Sequence, residues 1–110
     1  MNIYQVIMTP DAIDDITALG NYIADVLGAP KSALSYVRAV RKEIGSLSEM
    51  PSRNRPVDEE PWHTRGIRRL LVRKSYVYYR IDEASKTVYI LNVIYVGRDQ
   101  LRALARMNMD

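Results

Sequence analysis

Gly28-Ala29-Pro30 separates two stretches of helical periodicity, and so short a join forces them to fold back on each other as an antiparallel hairpin. Upstream, Ile13, Ile16, Gly20, Ile23 and Leu27 recur at three- and four-residue spacing, which predicts a helix with one apolar face and a point of close approach at Gly20. Thr9-Pro10-Asp11 reads as its start. Thr9 can accept from free backbone N–H groups, Pro10 stands where an N–H would have no helical partner, and Asp11 complements the positive end of the helix dipole. Gly28 ends it. Downstream, Pro30 opens a second helix in which Ala33, Val37, Val40, Ile44 and Leu47 repeat at four and three residues, until Met50-Pro51 stops it. Residues 3–8, rich in Ile, Val and Tyr, predict a strand ahead of the hairpin.

Beyond the hairpin the period changes. Pro51, Pro56 and Pro61, with Arg53, Arg55, Asp58, Glu59 and Glu60 between them, mark a long connecting loop and not a domain linker, because neither side could build its own core. Strands are predicted over residues 67–72, 76–81 and 88–96. The joins Arg73-Lys74-Ser75 and Asp82 to Lys86 suit hairpins, so these strands form an antiparallel meander. A short helix follows over residues 99–107, with Arg102 and Arg106 stacked four apart below Arg98. The prediction is an α+β fold: an N-terminal strand and helical hairpin packed on a small antiparallel sheet, with a short C-terminal helix.

At 110 residues and 47% hydrophobic composition, the chain fits one globular domain over residues 1–110. Cysteine is absent, which excludes disulfides, thiolate metal ligands and a thiol nucleophile. His63 is the only histidine, so a His-based acid–base pair or His cluster is excluded as well, and neither a metal nor a cofactor is expected. No apolar run approaches the roughly 18 residues of a membrane span, and no basic N-terminus leads into an apolar stretch. A cytoplasmic location is the expectation, with no membrane partner.

The net charge of +3 is unevenly placed: residues 1–30 contain Asp11, Asp14, Asp15 and Asp25 and no Lys or Arg. Between residues 65 and 80, by contrast, Arg65, Arg68, Arg69, Arg73, Lys74 and Arg80 occur without one Asp or Glu. Strand alternation sends Val77, Tyr79 and Ile81 to one face and Tyr76, Tyr78 and Arg80 to the other. Rings beside guanidinium groups suit bases and phosphates. Arg68, Arg69, Arg73, Tyr76, Tyr78, Arg80, Arg98 and Arg102 are therefore the candidate target-binding residues. Plainer roles compete: Arg80 suits an internal ion pair, Tyr76 and Tyr78 suit packing, and the remaining arginines suit a solvated face. A lone loop histidine beside Trp62 reads as surface. Charges this close repel one another over a Debye length of about 8 Å, which favours an acidic partner.

The order strand, helix, helix and three antiparallel strands resembles the RelE/ParE superfamily of bacterial type II toxins. Its most specific part runs from Gly66-Ile67-Arg68-Arg69-Leu70 through Tyr78-Tyr79-Arg80-Ile81-Asp82 to Gly97-Arg98-Asp99. Tyr4-Gln5-Val6 with Thr9, Ala12 and Asp15 is similar to that family's first strand and helix. The resemblance implies a toxin of a plasmid-stabilisation module, restrained by an antitoxin whose acidic, partly disordered segment folds on it. Two activities are implied. RelE-like members cut mRNA in the ribosomal A site by activating a ribose 2′-hydroxyl, whereas ParE-like members poison DNA gyrase. On the RelE-like reading Arg68, Arg69, Lys74, Tyr76 and Arg80 would form the catalytic group. Tyr76 stands where that branch carries a third-strand Arg, and Asp99 where a second C-terminal Arg is common. The two long helices, the proline-rich loop and the Gly-x-Arg-Arg entry to the sheet resemble the ParE-like layout more closely. A basic nucleic-acid-binding module without toxicity is the third reading.

Overall fold

Thr9 ties the first strand, the first helix and the sheet together at one residue. Its hydroxyl donates to Ile90 O at 2.7 Å and accepts from Ala12 N–H at 3.3 Å, and its own N–H donates to Ile90 O at 3.0 Å. In the computed structural model, which describes residues 3–95, strand β1 (Gln5–Met8) precedes it and helix α1 (Pro10–Asn21) follows. Helical geometry continues past Asn21 as a π turn over Tyr22–Val26, and Gly28 reverses the chain with φ +64°. Helix α2 (Pro30–Gly45) returns antiparallel and runs into a 3₁₀ turn at Ser46–Ser48. Both helices thus stop being α-helical before the predicted boundaries, because their last turns tighten or widen to satisfy the end carbonyls.

After a second 3₁₀ turn, Pro51–Arg53, and a loop, the chain forms β2 (Arg68–Val72), β3 (Ser75–Asp82) and β4 (Thr87–Tyr95). The meander is as expected, and the register is Leu70 opposite Val77 and Val77 opposite Val93. The sheet order is β1-β4-β3-β2, with β1 parallel to β4, so the sheet is mixed and not wholly antiparallel. The hairpin of helices supplies the long connection that a strand added in parallel requires.

The helices cover one face. Ala12, Ile16, Leu19 and Ile23 of the first helical arm and Ala33, Val40, Ile44 and Leu47 of the second meet Leu70, Val72, Val77, Tyr79, Val88, Ile90 and Val93 from the sheet. At Gly20 a Cβ would lie 3.2 Å from Val37 Cγ2, which makes it the close-approach point the spacing predicts. Ile13 and Leu27, expected on the buried face, are exposed, and Ala12 and Leu19 take their place. Ile16 and Ile23 stay buried as predicted, so the stripe keeps its centre and differs at its edges.

The opposite face is not open. Val57 and Ile67, from the segment between β2 and the 3₁₀ turns, pack with Tyr78, Leu91 and Ile94, and Trp62, Tyr76 and Tyr89 close around them. This strap is held by Val57 N–H to Ile67 O at 2.8 Å and by His63 Nδ1–H to Val57 O at 2.8 Å. An isolated bridge joins Pro56 to Arg68, so part of the outer edge of β2 is occupied by the strap. Beneath it Tyr78 pairs with Asn92 and Tyr79 with Ile90, leaving Leu91 as an extra residue in β4. That bulge tips Leu91 into the second cluster while Ile90 and Val93 stay in the first. Asp15 of α1 secures it, accepting from Val93 N–H at 2.9 Å and Asn92 Nδ2 at 3.1 Å.

Candidate nucleic-acid and partner interface

The basic run of the sequence is divided by the pleat. Successive strand residues point to opposite faces, so neighbours in sequence become opposites in space. Arg68 stands opposite Tyr79, on the helix side of the sheet, and donates to the carbonyls of Asn54, at 2.5 Å, and Ser52, at 3.4 Å. It pins the loop and does not belong to the strap-side face. Arg69 stands opposite Tyr78 on that strap-side face, with its guanidinium 4.3 Å above the Tyr76 ring and hydrogen-bonded to the Tyr78 phenol. Arg80, on the same face, lies 4.3 Å over the ring of Tyr89, its neighbour on β4. The internal ion pair weighed for Arg80 is replaced by a ring contact, which needs no buried acid.

Arg73 and Lys74 form the β2–β3 turn at the end of the sheet. Arg73 adopts φ +53° and lies 5.7 Å from the Tyr36 ring. Tyr36, on α2, accepts from Lys74 N–H at 3.0 Å and shares a 2.7 Å hydrogen bond with Ser75 Oγ. Lys74 and Tyr76 therefore sit at the α2 end, whereas Arg80 is four residues further along β3, or about 13 Å away. Arg65 is exposed on the strap. Arg98 and Arg102, with the predicted terminal helix, fall outside the described residues.

Tyr78 requires a correction. Predicted on an open face as a contact residue, it is fully buried beneath the strap. The alternation placed it on the correct face, but the strap's own apolar residues cover that face. Tyr76 is half-buried and tilted against Tyr78 with ring centroids 6.2 Å apart. Tyr79 is also fully buried, donating to Pro51 O at 2.7 Å and accepting from Asn54 Nδ2 at 3.1 Å.

Burial pushes both phenols above the usual tyrosine range, opposed at Tyr78 by the Arg69 hydrogen bond and at Tyr79 by the Asn54 hydrogen bond. The folded chain thus holds these two protons more tightly than the unfolded chain does. Their contribution to stability is complete below the unfolded tyrosine value of about 10 and is lost as pH rises through the folded values. Urea midpoints should be level on approaching pH ~10 and fall above it, less steeply in Tyr79→Phe. An equally level curve through pH ~11 would remove this account of the two phenols.

Among the described residues no group of three His, Cys, Asp or Glu side chains gathers to hold a metal ion, and no helix is long and apolar enough to cross a membrane. Residues that sequence reasoning left out of the site are Arg53, Asn54 and Arg55, which border a small hollow with Arg69. The available signal was the pair of apolar residues Val57 and Trp62 in a stretch read as loop, which implies that the stretch packs.

Known proteins share this arrangement. The family model for the ParE toxin of type II toxin–antitoxin systems, parDE, matches residues 6–100. No curated protein sequence matches the chain. Among solved structures, the chromosomal ParDE toxin–antitoxin system from P. aeruginosa superposes with a TM-score of 0.70 at 21% identity, over 87% of this chain and 99% of that one. The toxin–antitoxin complex RelBE2 from Mycobacterium tuberculosis gives 0.60 at 26% identity, over 84% and 98%. The free E. coli toxin RelE, in mutant form, gives 0.61 at 12% identity, over 92% of each chain. The strand–hairpin–meander architecture is thus that of RelE/ParE toxins, and the family match across most of its length makes this chain a member of the ParE toxin family of type II toxin–antitoxin systems.

Proposed function

We propose that this toxin acts by poisoning DNA gyrase and that it is held inactive by a cognate antitoxin. One observation carries the gyrase reading: the sheet's arginines Arg68, Arg69 and Arg80 are engaged with rings and carbonyls, and Lys74 and Tyr76 are the titratable groups left beside them for proton transfer. Arg68 is bound to loop carbonyls, Arg69 lies over Tyr76 and Arg80 over Tyr89. His63 is spent on closing the strap, and Tyr78 is buried with its phenol pushed above its normal range. Attack by a 2′-hydroxyl needs a positioned base and a positioned acid, each typically contributing about 10² to 10⁴ in rate. Guanidinium groups alone stabilise charge and move no proton, being protonated up to a pKa above about 12. Such a surface is suited to binding. The match to the ParE toxin family and the superposition on a ParDE system support the same reading. An acidic antitoxin segment fits the excess of positive charge downstream of residue 30, and the ParDE and RelBE relatives were solved as toxin–antitoxin assemblies.

The test uses purified toxin in two assays. Gyrase with supercoiled DNA should accumulate cleaved, protein-linked DNA when toxin is added, and antitoxin should abolish the effect. Programmed ribosomes should retain intact mRNA. Cleavage of A-site mRNA that disappears in Arg69→Ala or Tyr76→Phe would reverse the assignment in favour of the endoribonuclease.

A further inference from the structure

Strand β2 is one end of the sheet, and the strap occupies only the first part of its outer edge. There Pro56 bridges Arg68, and Val57 N–H donates to Ile67 O. Backbone groups of alternate strand residues point to opposite sides, so this bond sets the phase: Ile67, Arg69 and Leu71 direct N–H and C=O outward, while Arg68, Leu70 and Val72 face β3. Val72 opposite Ser75, the pair flanking the two-residue turn Arg73-Lys74, gives the same phase. Among the described residues no strand pairs with the edge at Leu71, whose side chain is 58% exposed. An apolar residue on an unpaired edge invites a further strand. The charges beside it select which strand. A groove of about 650 Å³ runs between β2 and α2, lined by Leu71 and Arg73 from the strand and by Arg38, Ala39 and Lys42 from the helix. Arg38 and Lys42 stand one helical turn apart, both exposed, and no ion pair joins either to an acid among the described residues. Glu43 is the single acid among the described residues that line the groove.

We propose that the free edge of β2 receives an extended acidic segment of a partner protein as a fifth strand. The backbone of that segment bonds to Leu71 N–H and C=O, which supplies affinity, and the pleat sorts its side chains, which supplies specificity. Those on the strap side cover Leu71. Those on the helix side are carboxylates that meet Arg38 and Lys42, with Arg73 at the end of the edge. A second copy of this chain fits poorly, because it would bring the same three cations against their own copies. The antitoxin is read above as supplying an acidic, partly disordered segment, so the inference rests on that reading for the segment's source and names the strand that receives it.

The probes are two short blocked peptides, one alternating Glu with Val and one alternating Lys with Val, titrated into isotope-labelled toxin while its amide resonances are followed. The acidic peptide should shift the Leu71 N–H and slow its exchange, and the basic peptide should leave it unchanged. Leu71→Pro removes the outward N–H and spares the ladder to β3, a substitution that edge strands tolerate, and should weaken binding at least about tenfold. Lys42→Glu should weaken it about three- to tenfold, whereas Lys31→Glu, about 16 Å earlier on the same helix, should change it by less than about twofold. Lys42 is exposed, so its substitution leaves the fold intact and keeps the test decisive if Leu71→Pro does not fold. The proposal is overturned if the acidic peptide leaves Leu71 unchanged, if the basic peptide binds there equally well, or if Lys42→Glu binds as wild type does. A free toxin that sediments as a dimer and is made monomeric by Leu71→Pro would overturn it too, giving the edge to a second copy. Cognate antitoxin separates the two readings. Equal binding to wild type, Leu71→Pro and Lys42→Glu would keep the antitoxin and overturn this docking strand, whereas failure to bind wild type would remove the antitoxin reading while the peptides still decide the edge.

Discussion

Tyr79→Ala should cost about 3–5 kcal/mol of folding stability, a large share of the roughly 5–15 kcal/mol that a domain of this size possesses. The residue is fully buried between the sheet and the helices, and its ring is part of the main cluster. Its hydroxyl also does something a phenylalanine cannot, donating to Pro51 O while accepting from Asn54. Tyr79→Phe should therefore cost about 1–3 kcal/mol, because it leaves a buried carbonyl without its donor and an amide without its acceptor. Equilibrium urea denaturation measures both. Hydrogen exchange in Tyr79→Phe should also quicken around residues 51–54 before the rest of the sheet opens, since that loop loses one of its ties. A Tyr79→Phe change within about 0.5 kcal/mol of wild type would show that the loop is held by Arg53 and Arg68 without it.

Tyr76 and Tyr78 should separate just as sharply, although they lie two residues apart on one face of one strand. Tyr78→Ala removes a fully buried ring from the cluster that anchors the strap and should cost about 3–5 kcal/mol. Tyr76 is half-buried, and its ring carries the Arg69 guanidinium, a contact worth about 0.5–1 kcal/mol at such a position, so Tyr76→Ala should cost about 1–2 kcal/mol. Loss of activity in a folded Tyr76→Ala protein can then be read as loss of a contact. The same loss in Tyr78→Ala reads first as loss of the strap. Denaturation midpoints of the two variants settle the comparison, and equal midpoints would contradict the burial difference on which it rests.

Much of the architecture is legible without coordinates. The helix-period apolar residues on either side of Gly28-Ala29-Pro30 lead to a hairpin, and Thr9-Pro10 marks the start of its first helix. The meander of β2, β3 and β4 follows from alternating apolar runs with short joins, to within a residue or so at each end. These features are local: they depend on spacing over a few residues and on backbone preferences that act within one turn. The faces of β3 are legible for the same reason, with Val77 and Tyr79 toward the helices and Tyr76, Tyr78 and Arg80 away from them.

The candidate site was less legible because it depends on what lies across from each residue. Six basic residues between positions 65 and 80 look like a patch in the sequence, yet folding sends Arg68 to the loop carbonyls, Arg69 and Arg80 to the rings of Tyr76 and Tyr89, and Arg73 and Lys74 to the end of the sheet. No spacing rule reports that Val57, Trp62 and Ile67 fold onto Tyr78, because that burial is a long-range choice made by the shape of the sheet and its bulge at Leu91. The same holds for the parallel pairing of β1 with β4 and for the carboxylate of Asp15 at the backbone of Val93. By itself the sequence determined the order and kind of the elements and the apolar faces of the strands. The tertiary structure alone decided which charged side chains meet solvent and which are tied inside, because that depends on contacts between residues far apart in the chain.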